Sequence, residues 1–141
     1  MTAPGSAGTG RIPGWVGDGF SHPVQAIREG FSYDFYERLA SKLGASDDQL
    51  ARVLSVTPRT LRRRRKERKP LTPEESDRLW LLTQVFEQAT KTFEGEERAR
   101  RWLSEPHRML GGESPIEHLD TTAGADRVRY ILRQIEHSMP V

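Results

Sequence analysis

From Ser32 onward, apolar residues recur at helical spacing and are interrupted by glycine, proline and short polar residues. Phe35, Tyr36, Leu39 and Leu43 fall on one helical face, and Gly44 stands where the C-cap belongs. Ser46 and Gln49 have the spacing of a capping box, and Leu50, Val53 and Leu54 give a short following helix its apolar face, ending near Ser55. Thr57 and Pro58 open another helix as cap and first residue, a place where the missing proline N–H costs nothing. Thr72-Pro73-Glu74-Glu75 repeats that grammar, and a long helix follows with Leu79, Leu82, Phe86, Ala89 and Phe93 on one side. After Gly95 the pattern predicts a helix over 96–103, stopped by Pro106. Ser114 and Pro115 read as the cap and first residue of a short helical turn, and Gly124 as a break. Val128, Ile131, Leu132 and Ile135 mark a last amphipathic helix that ends before Pro140. No segment alternates as a strand does, and no internal repeat is present. The expected class is all-α, with about seven helices.

Residues 1–22 show no period and are rich in Gly, Ser, Thr and Pro, the composition of a disordered arm. Trp15 and Phe20 are its candidates for docking. Its Gly-Trp-Val-Gly-Asp-Gly stretch is not a phosphate loop, because no strand precedes it and no Gly-Lys-Ser/Thr follows. The expected organisation is this arm, a cluster of short helices over 23–70, a long connecting helix over 71–94 and a C-terminal unit over 95–141.

Composition narrows the class. Of 141 residues, 35% are hydrophobic and 30% charged, which suits a small soluble helical protein with a modest core. No apolar run reaches membrane-spanning length, and the N-terminus has no apolar signal-peptide core. The absence of cysteine excludes disulfides and thiolate metal sites and is compatible with a reducing cytosol, so the expected location is cytoplasmic. Net charge is +2, but residues 59–69 hold eight Lys or Arg against one Glu, a local +7 that leaves −5 for the remainder. From Pro70 onward there are nine basic and thirteen acidic residues. Such asymmetry points to a local contact with a polyanion.

What precedes the arginines gives that contact a shape. Ala51 is small where two helices cross closely, and Leu50, Leu54, Val56 and Leu61 are apolar where a helix-turn-helix is locked together. Thr57 starts the second helix, which such a unit presents to the DNA major groove. Free N–H groups at that start favour a phosphate. With Leu61 inward, Arg59, Thr60, Arg62 and Arg63 face outward or sideways, where Arg reads guanine or clamps phosphate and Thr meets a thymine methyl. Arg64, Arg65, Lys66, Arg68 and Lys69 are expected to contact phosphates. A solvated basic helix is the alternative, and the two Arg one turn beyond Leu61 end the apolar face early. Leu79 or Trp80 of the next helix is a candidate cover for the arginine stems.

Catalytic chemistry has no visible seat. His22, His107, His118 and His137 are scattered, and none has metal-ligand spacing. There is no cysteine nucleophile and no Gly-x-Ser-x-Gly elbow. The expectation is a non-enzyme with no cofactor and no metal.

The C-terminal half carries Trp102-Leu103, Pro106, Leu110, Gly111-Gly112, Pro115, Leu119, Thr121 or Thr122, and Gly124. This run resembles the C-terminal toxin-binding domain of Xre/MbcA/ParS-type antitoxins, and the upstream segment looks like the Xre-like helix-turn-helix of the same proteins. The resemblance covers roughly residues 30–141. It implies a cognate RES-domain toxin that destroys NAD, a C-terminal lobe whose end blocks the toxin's active-site cleft, a helix-turn-helix that represses its own operon at operator DNA, and homodimers within larger toxin–antitoxin assemblies. The candidate toxin contacts are Trp102, Leu110, Gly111, Gly112, Pro115, Arg133 and the tail residues His137, Ser138, Met139, Pro140 and Val141. Core packing is the alternative for Trp102, Leu110 and Leu119, fraying for the tail, and a solvated charge for Arg133. Ser138 stands where relatives often carry Gly, which bears on the path of the tail. Gly111-Gly112 permits a sharp turn that a side chain obstructs. A plain helix-turn-helix regulator whose C-terminal half only dimerises, and a protein adaptor with a decoy basic helix, are the competing functions.

Overall fold

Helix α5 (Pro73–Phe93) carries apolar side chains around much of its circumference, so it must be covered on more than one side. The computed structural model describes residues 23–138, and it places α5 as the shared spine of two helical clusters. On one side lie α1 (Pro23–Glu29), α2 (Tyr33–Leu43) and α3 (Asp47–Leu54), while α4 (Pro58–Glu67) packs on α3. On the other lie α6 (Glu96–Ser104) and α7 (Thr122–Ser138), joined by two 3₁₀ turns at Arg108–Leu110 and Glu117–Asp120. The second turn packs against both α7 and α3. One core therefore runs from Phe35 and Leu50 through Leu79, Leu82 and Phe86 to Leu103, Leu119 and Leu132. Each such fully buried side chain contributes about 1.5–3 kcal/mol, so the middle of α5 holds both clusters.

The described residues form seven α-helices and no strand. The all-α expectation holds, although the membership of the set differs. Helix α1 is an addition, because seven residues with Ala26 as the buried one give too little period to see. The arm at 1–22, with Trp15 and Phe20, and the tail residues Met139, Pro140 and Val141 lie outside the described residues.

Local signals act as the sequence indicates. Ser32 Oγ accepts the Phe35 N–H at 3.1 Å, and Thr57 Oγ1 accepts the Thr60 N–H at 3.1 Å. Ser46 with Gln49 and Thr72 with Glu75 form reciprocal capping boxes. Ser114 and Glu117 make the same exchange, yet the turn that follows is 3₁₀ over Glu117–Asp120. Gly111 and Gly112 adopt φ of +67° and +87°, which explains two glycines in succession.

Gly124 departs from expectation. It lies inside α7, fully buried, and does not break the chain. A Cβ there would sit 1.8 Å from the His118 carbonyl oxygen, so the glycine lets α7 meet the preceding turn. Close approach, not flexibility, is its reason.

Arg64 closes the joint between α4 and α5. Both ends of its guanidinium reach the Glu75 carboxylate, with the Nη2–Oε2 contact at 3.0 Å and the Nη1–Oε1 contact shorter. The side chains are only 14% and 8% exposed. Glu75 Oε1 also accepts the Thr72 N–H at 2.9 Å, so one carboxylate caps α5 and anchors α4. Burial pushes the Glu75 carboxyl upward, but the bonds from Arg64 and Thr72 outweigh it and hold the group below its usual value.

Two outcomes follow. Because the Glu75 carboxyl titrates below its ordinary 4.5 when folded, its contribution is complete above that pH and is lost as pH falls through the lower folded value. Urea midpoints measured from neutral pH to about pH 3 should therefore fall less steeply on acidification for Glu75→Gln than for the parent, while Arg64→Ala, which strands a buried carboxylate, should cost about 3 kcal/mol at neutral pH. Gly124→Ala should lower stability by about 1–3 kcal/mol through the clash with the His118 carbonyl, read as a drop in Tm of several degrees.

Candidate functional site

The turn joining α3 to α4 is short and tightly bonded. Ser55 takes the left-handed conformation at φ +60°, and the Val56 N–H donates to the Ala51 carbonyl at 3.0 Å. Leu50, Ala51, Leu54 and Leu61 are buried and Val56 is half-buried, so the four predicted locks and the small residue at the crossing lie in or against the core. The geometry is a helix-turn-helix with α4 outermost.

Helical rotation then sorts the basic residues of α4 into two sets. Arg59, Arg62, Arg63 and Lys66 are spaced i, i+3, i+4 and i+7, a single stripe on the side opposite Leu61. All four are exposed, and none forms an ion pair among the described residues. Thr60 is half-buried at the N-terminal end, its Oγ1 3.0 Å from Thr57 Oγ1. Thr57 itself is exposed, with its hydroxyl used as the cap.

The other arginines are paired with acids or a phenol of the protein. Arg64, expected at a phosphate, is committed to Glu75. Its place one turn beyond Leu61 extends the inward face, which the sequence pattern had ended too early. Arg65 donates to the Tyr33 hydroxyl at 3.2 Å and to Asp47 at 2.8 Å. Arg68 donates to Asp34 and lies 5.3 Å from the Tyr33 ring centre. Lys69 is 4.0 Å from Glu67. Of the expected phosphate contacts, Lys66 alone belongs to the unpaired stripe. These ion pairs orient α4 with its free cations outward.

In the C-terminal cluster, Leu110 and Pro115 are buried, Leu110 as its core-packing alternative has it, although Leu110 also lines the groove described below. They shape the loop from inside. Gly111 and Gly112 are exposed at its bend, and Arg133, His137 and Ser138 are exposed on α7. Trp102 is half-buried between Phe93 and His107, at centroid separations of 5.5 and 5.0 Å. The His107 Nε2 is 3.1 Å from the Trp102 carbonyl oxygen. Trp102, Met109 and Leu110 on one side and Ile131 and Ile135 of α7 on the other line a groove of about 380 Å³. Sequence reasoning missed Met109, which lies in the loop away from any helical period.

A set of polar contacts missing from the sequence reading ties this loop to the helix-turn-helix. Arg52 of α3 donates to Glu113 at 2.6 Å and to Asp120 at 3.3 Å, and Glu113 also contacts the His118 ring at 2.7 Å. The bonds from His118 and then Arg52 hold the Glu113 carboxyl below the usual carboxylate range. Arg78 of α5 donates to the carbonyls of Val53, at 3.0 Å, and of Leu119. The partners of Arg52 and Arg78 are 25 to 68 residues away, beyond any local signal.

Among the described residues, no cluster of three His, Asp or Glu side chains is placed to hold a metal ion, and no helix is long and apolar enough to cross a membrane. Two family models match this architecture. Residues 22–83 match the antitoxin Xre-like helix-turn-helix domain, and residues 88–137 match the antitoxin Xre/MbcA/ParS C-terminal toxin-binding domain. The chain is 32% identical over 117 residues to an Antitoxin Xre of Yersinia enterocolitica, covering 82% of this chain and 79% of that protein. It is 30% identical over 109 residues to an Antitoxin Xre of Pseudomonas putida, covering 77% and 67%. A Prs ADP-ribosylating antitoxin of a Sphingobium species is 26% identical over 122 residues, covering 80% and 77%. With a helix-turn-helix on one side of its spine and a toxin-binding domain on the other, the chain belongs to the Xre family of type II antitoxins.

Proposed function

We propose that the protein neutralises a RES-domain toxin that degrades NAD, and represses its own operon through the helix-turn-helix. Repression is supported by the exposed, unpaired stripe of Arg59, Arg62, Arg63 and Lys66 on α4. Four cations on one face of a helix, beside a capped N-terminus, match the charge of a duplex backbone and the width of its major groove. In this reading Arg59 and Arg63, one helical turn apart, approach base edges with Thr60, while Arg62 and Lys66 meet phosphates. Arg65 and Arg68 act by positioning α4.

Neutralisation is supported by the match of residues 88–137 to the antitoxin Xre/MbcA/ParS C-terminal toxin-binding domain, and the RES toxin is what the family resemblance implies. The Sphingobium relative is named for ADP-ribosylation, a chemistry that consumes NAD, which supports the same cofactor class. Occlusion assigns residues 137–141 to the toxin's cleft, with the exposed Arg133 of α7 beside its acidic or nucleotide-binding wall. A homodimer within the toxin complex gives two such α4 helices for a two-fold operator.

Binding to the operator, measured across salt, should weaken steeply, and Lys66→Ala should lower the log–log salt slope by about 1 for all sequences alike. Arg59→Ala or Arg63→Ala should instead reduce discrimination between operator and unrelated DNA, by about 1–3 kcal/mol each. Deleting residues 137–141 should leave DNA binding intact and abolish protection of NAD in a toxin assay; full protection by the truncated chain would falsify the plug.

A further inference from the structure

We infer that the groove between the α6–α7 loop and α7 is the seat for an apolar side chain of the toxin, carried next to a carboxylate. The inference rests on the antitoxin reading and adds the surface through which the toxin is held, apart from the tail that plugs it.

Three observations meet at this place. The first is exposure. Among the described residues, the exposed large apolar side chains are Val24, Met109 and Tyr130. Of these, Met109 lines this groove. Met109, 57% exposed, forms its lip. Tyr130, 45% exposed, is outside the lining and lies one helical turn before the lining residue Gln134 on α7. Apolar surface of this size is held open to water at a cost, and the groove gathers Met109 and Trp102, residue types enriched at interfaces.

The second observation is preorganisation. The loop that holds Met109 is fixed by its own backbone, since the Gly112 N–H donates to the His107 carbonyl at 3.0 Å and the His107 N–H to the Glu113 carbonyl at 3.0 Å. Trp102, held between Phe93 and His107, gives the groove a rigid aromatic side. A groove already shaped loses little entropy when filled. Its volume of about 380 Å³ exceeds what one Leu or Phe side chain fills, leaving space for the adjoining backbone.

The third is charge. The C-terminal part of the chain is net acidic, yet the groove lining includes Arg108 and no carboxylate. Arg108 is exposed, and Arg127 lies 5.9 Å from the Tyr130 ring centre on α7. An acidic residue beside the anchoring side chain suits this rim. The groove also falls entirely within residues 88–137 but for Ser138 at its end, which makes the toxin its occupant in preference to a second copy.

The test uses the full chain with the catalytically inactive toxin encoded beside it, read by titration calorimetry. Met109→Glu changes an exposed side chain, and Gln134→Trp fills the groove from its exposed wall, so neither disturbs the core. Both should weaken toxin binding at least tenfold, about 1.4 kcal/mol, while Val24→Glu on α1 leaves it unchanged and all three retain operator binding. Toxin affinity equal to that of the parent in both groove variants overturns the groove and leaves the antitoxin reading standing. Failure of the parent chain to bind the toxin removes that reading and the groove with it. A parent dimer that Met109→Glu converts to monomer, at unchanged toxin affinity, assigns the groove to a second copy and overturns the proposal.

Discussion

Helix α5 has more apolar surface than one neighbour can cover, and the architecture follows from that excess. Leu79, Leu82, Val85, Phe86 and Ala89 are all wholly buried. Helices α1 to α3 take one side of the spine, and α6 and α7 take the other. Neither cluster has a core of its own size without α5, so the DNA-facing half and the toxin-facing half share one hydrophobic interior. Residues 22–83 of the helix-turn-helix model end within α5, and the toxin-binding model begins within the same helix at 88. The two functional units are distinct as sequence patterns and continuous as packing.

Electrostatics then orients what the hydrophobic interior holds. The arginine run of α4 is two populations set by helical rotation. Residues near the direction of Leu61 meet acids or phenols of α2, α3 and α5, as Arg64 with Glu75, Arg65 with Asp47 and Tyr33, and Arg68 with Asp34 show. Residues on the opposite side meet solvent. The Arg64–Glu75 pair differs in kind from the surface pairs. It is nearly buried, it is bidentate, and its carboxylate also closes the cap of α5. Exposed pairs such as Arg68 with Asp34 contribute little to stability and serve more to fix orientation.

Arg52 and Arg78 add a polar bridge from the helix-turn-helix to the loop that carries Met109 and the paired glycines. Arg78 satisfies the carbonyl of Val53 near the end of α3 and that of Leu119 in the second 3₁₀ turn, so one guanidinium serves two chain ends that have no helical donor. Gly124 permits the same turn to lie directly on α7. The two candidate surfaces, α4 and the groove, are thus carried on one shared core.

Much of the fold was legible from local chemistry. Ser32, Ser46, Thr57 and Thr72 began helices because a short hydroxyl side chain satisfies a free N–H within its own turn, a contact that needs nothing distant. The positive φ of Gly111 and Gly112 was legible for a similar reason. The inward Leu61 and the outward Arg59, Arg62 and Arg63 followed from helical period alone. Tertiary structure decided what local period cannot carry: whether an arginine on the inward side meets an acid, as Arg64 meets Glu75 eleven residues on, and whether a glycine breaks a helix or lets two segments touch, as Gly124 does against His118. It also decided that Leu110 and Pro115 are interior while Met109, next to Leu110, is not, since which side of a loop faces water depends on α6 and α7 packed around it. Caps and periodicity are set by neighbours in the chain; pairing, close approach and exposure are set by neighbours in space.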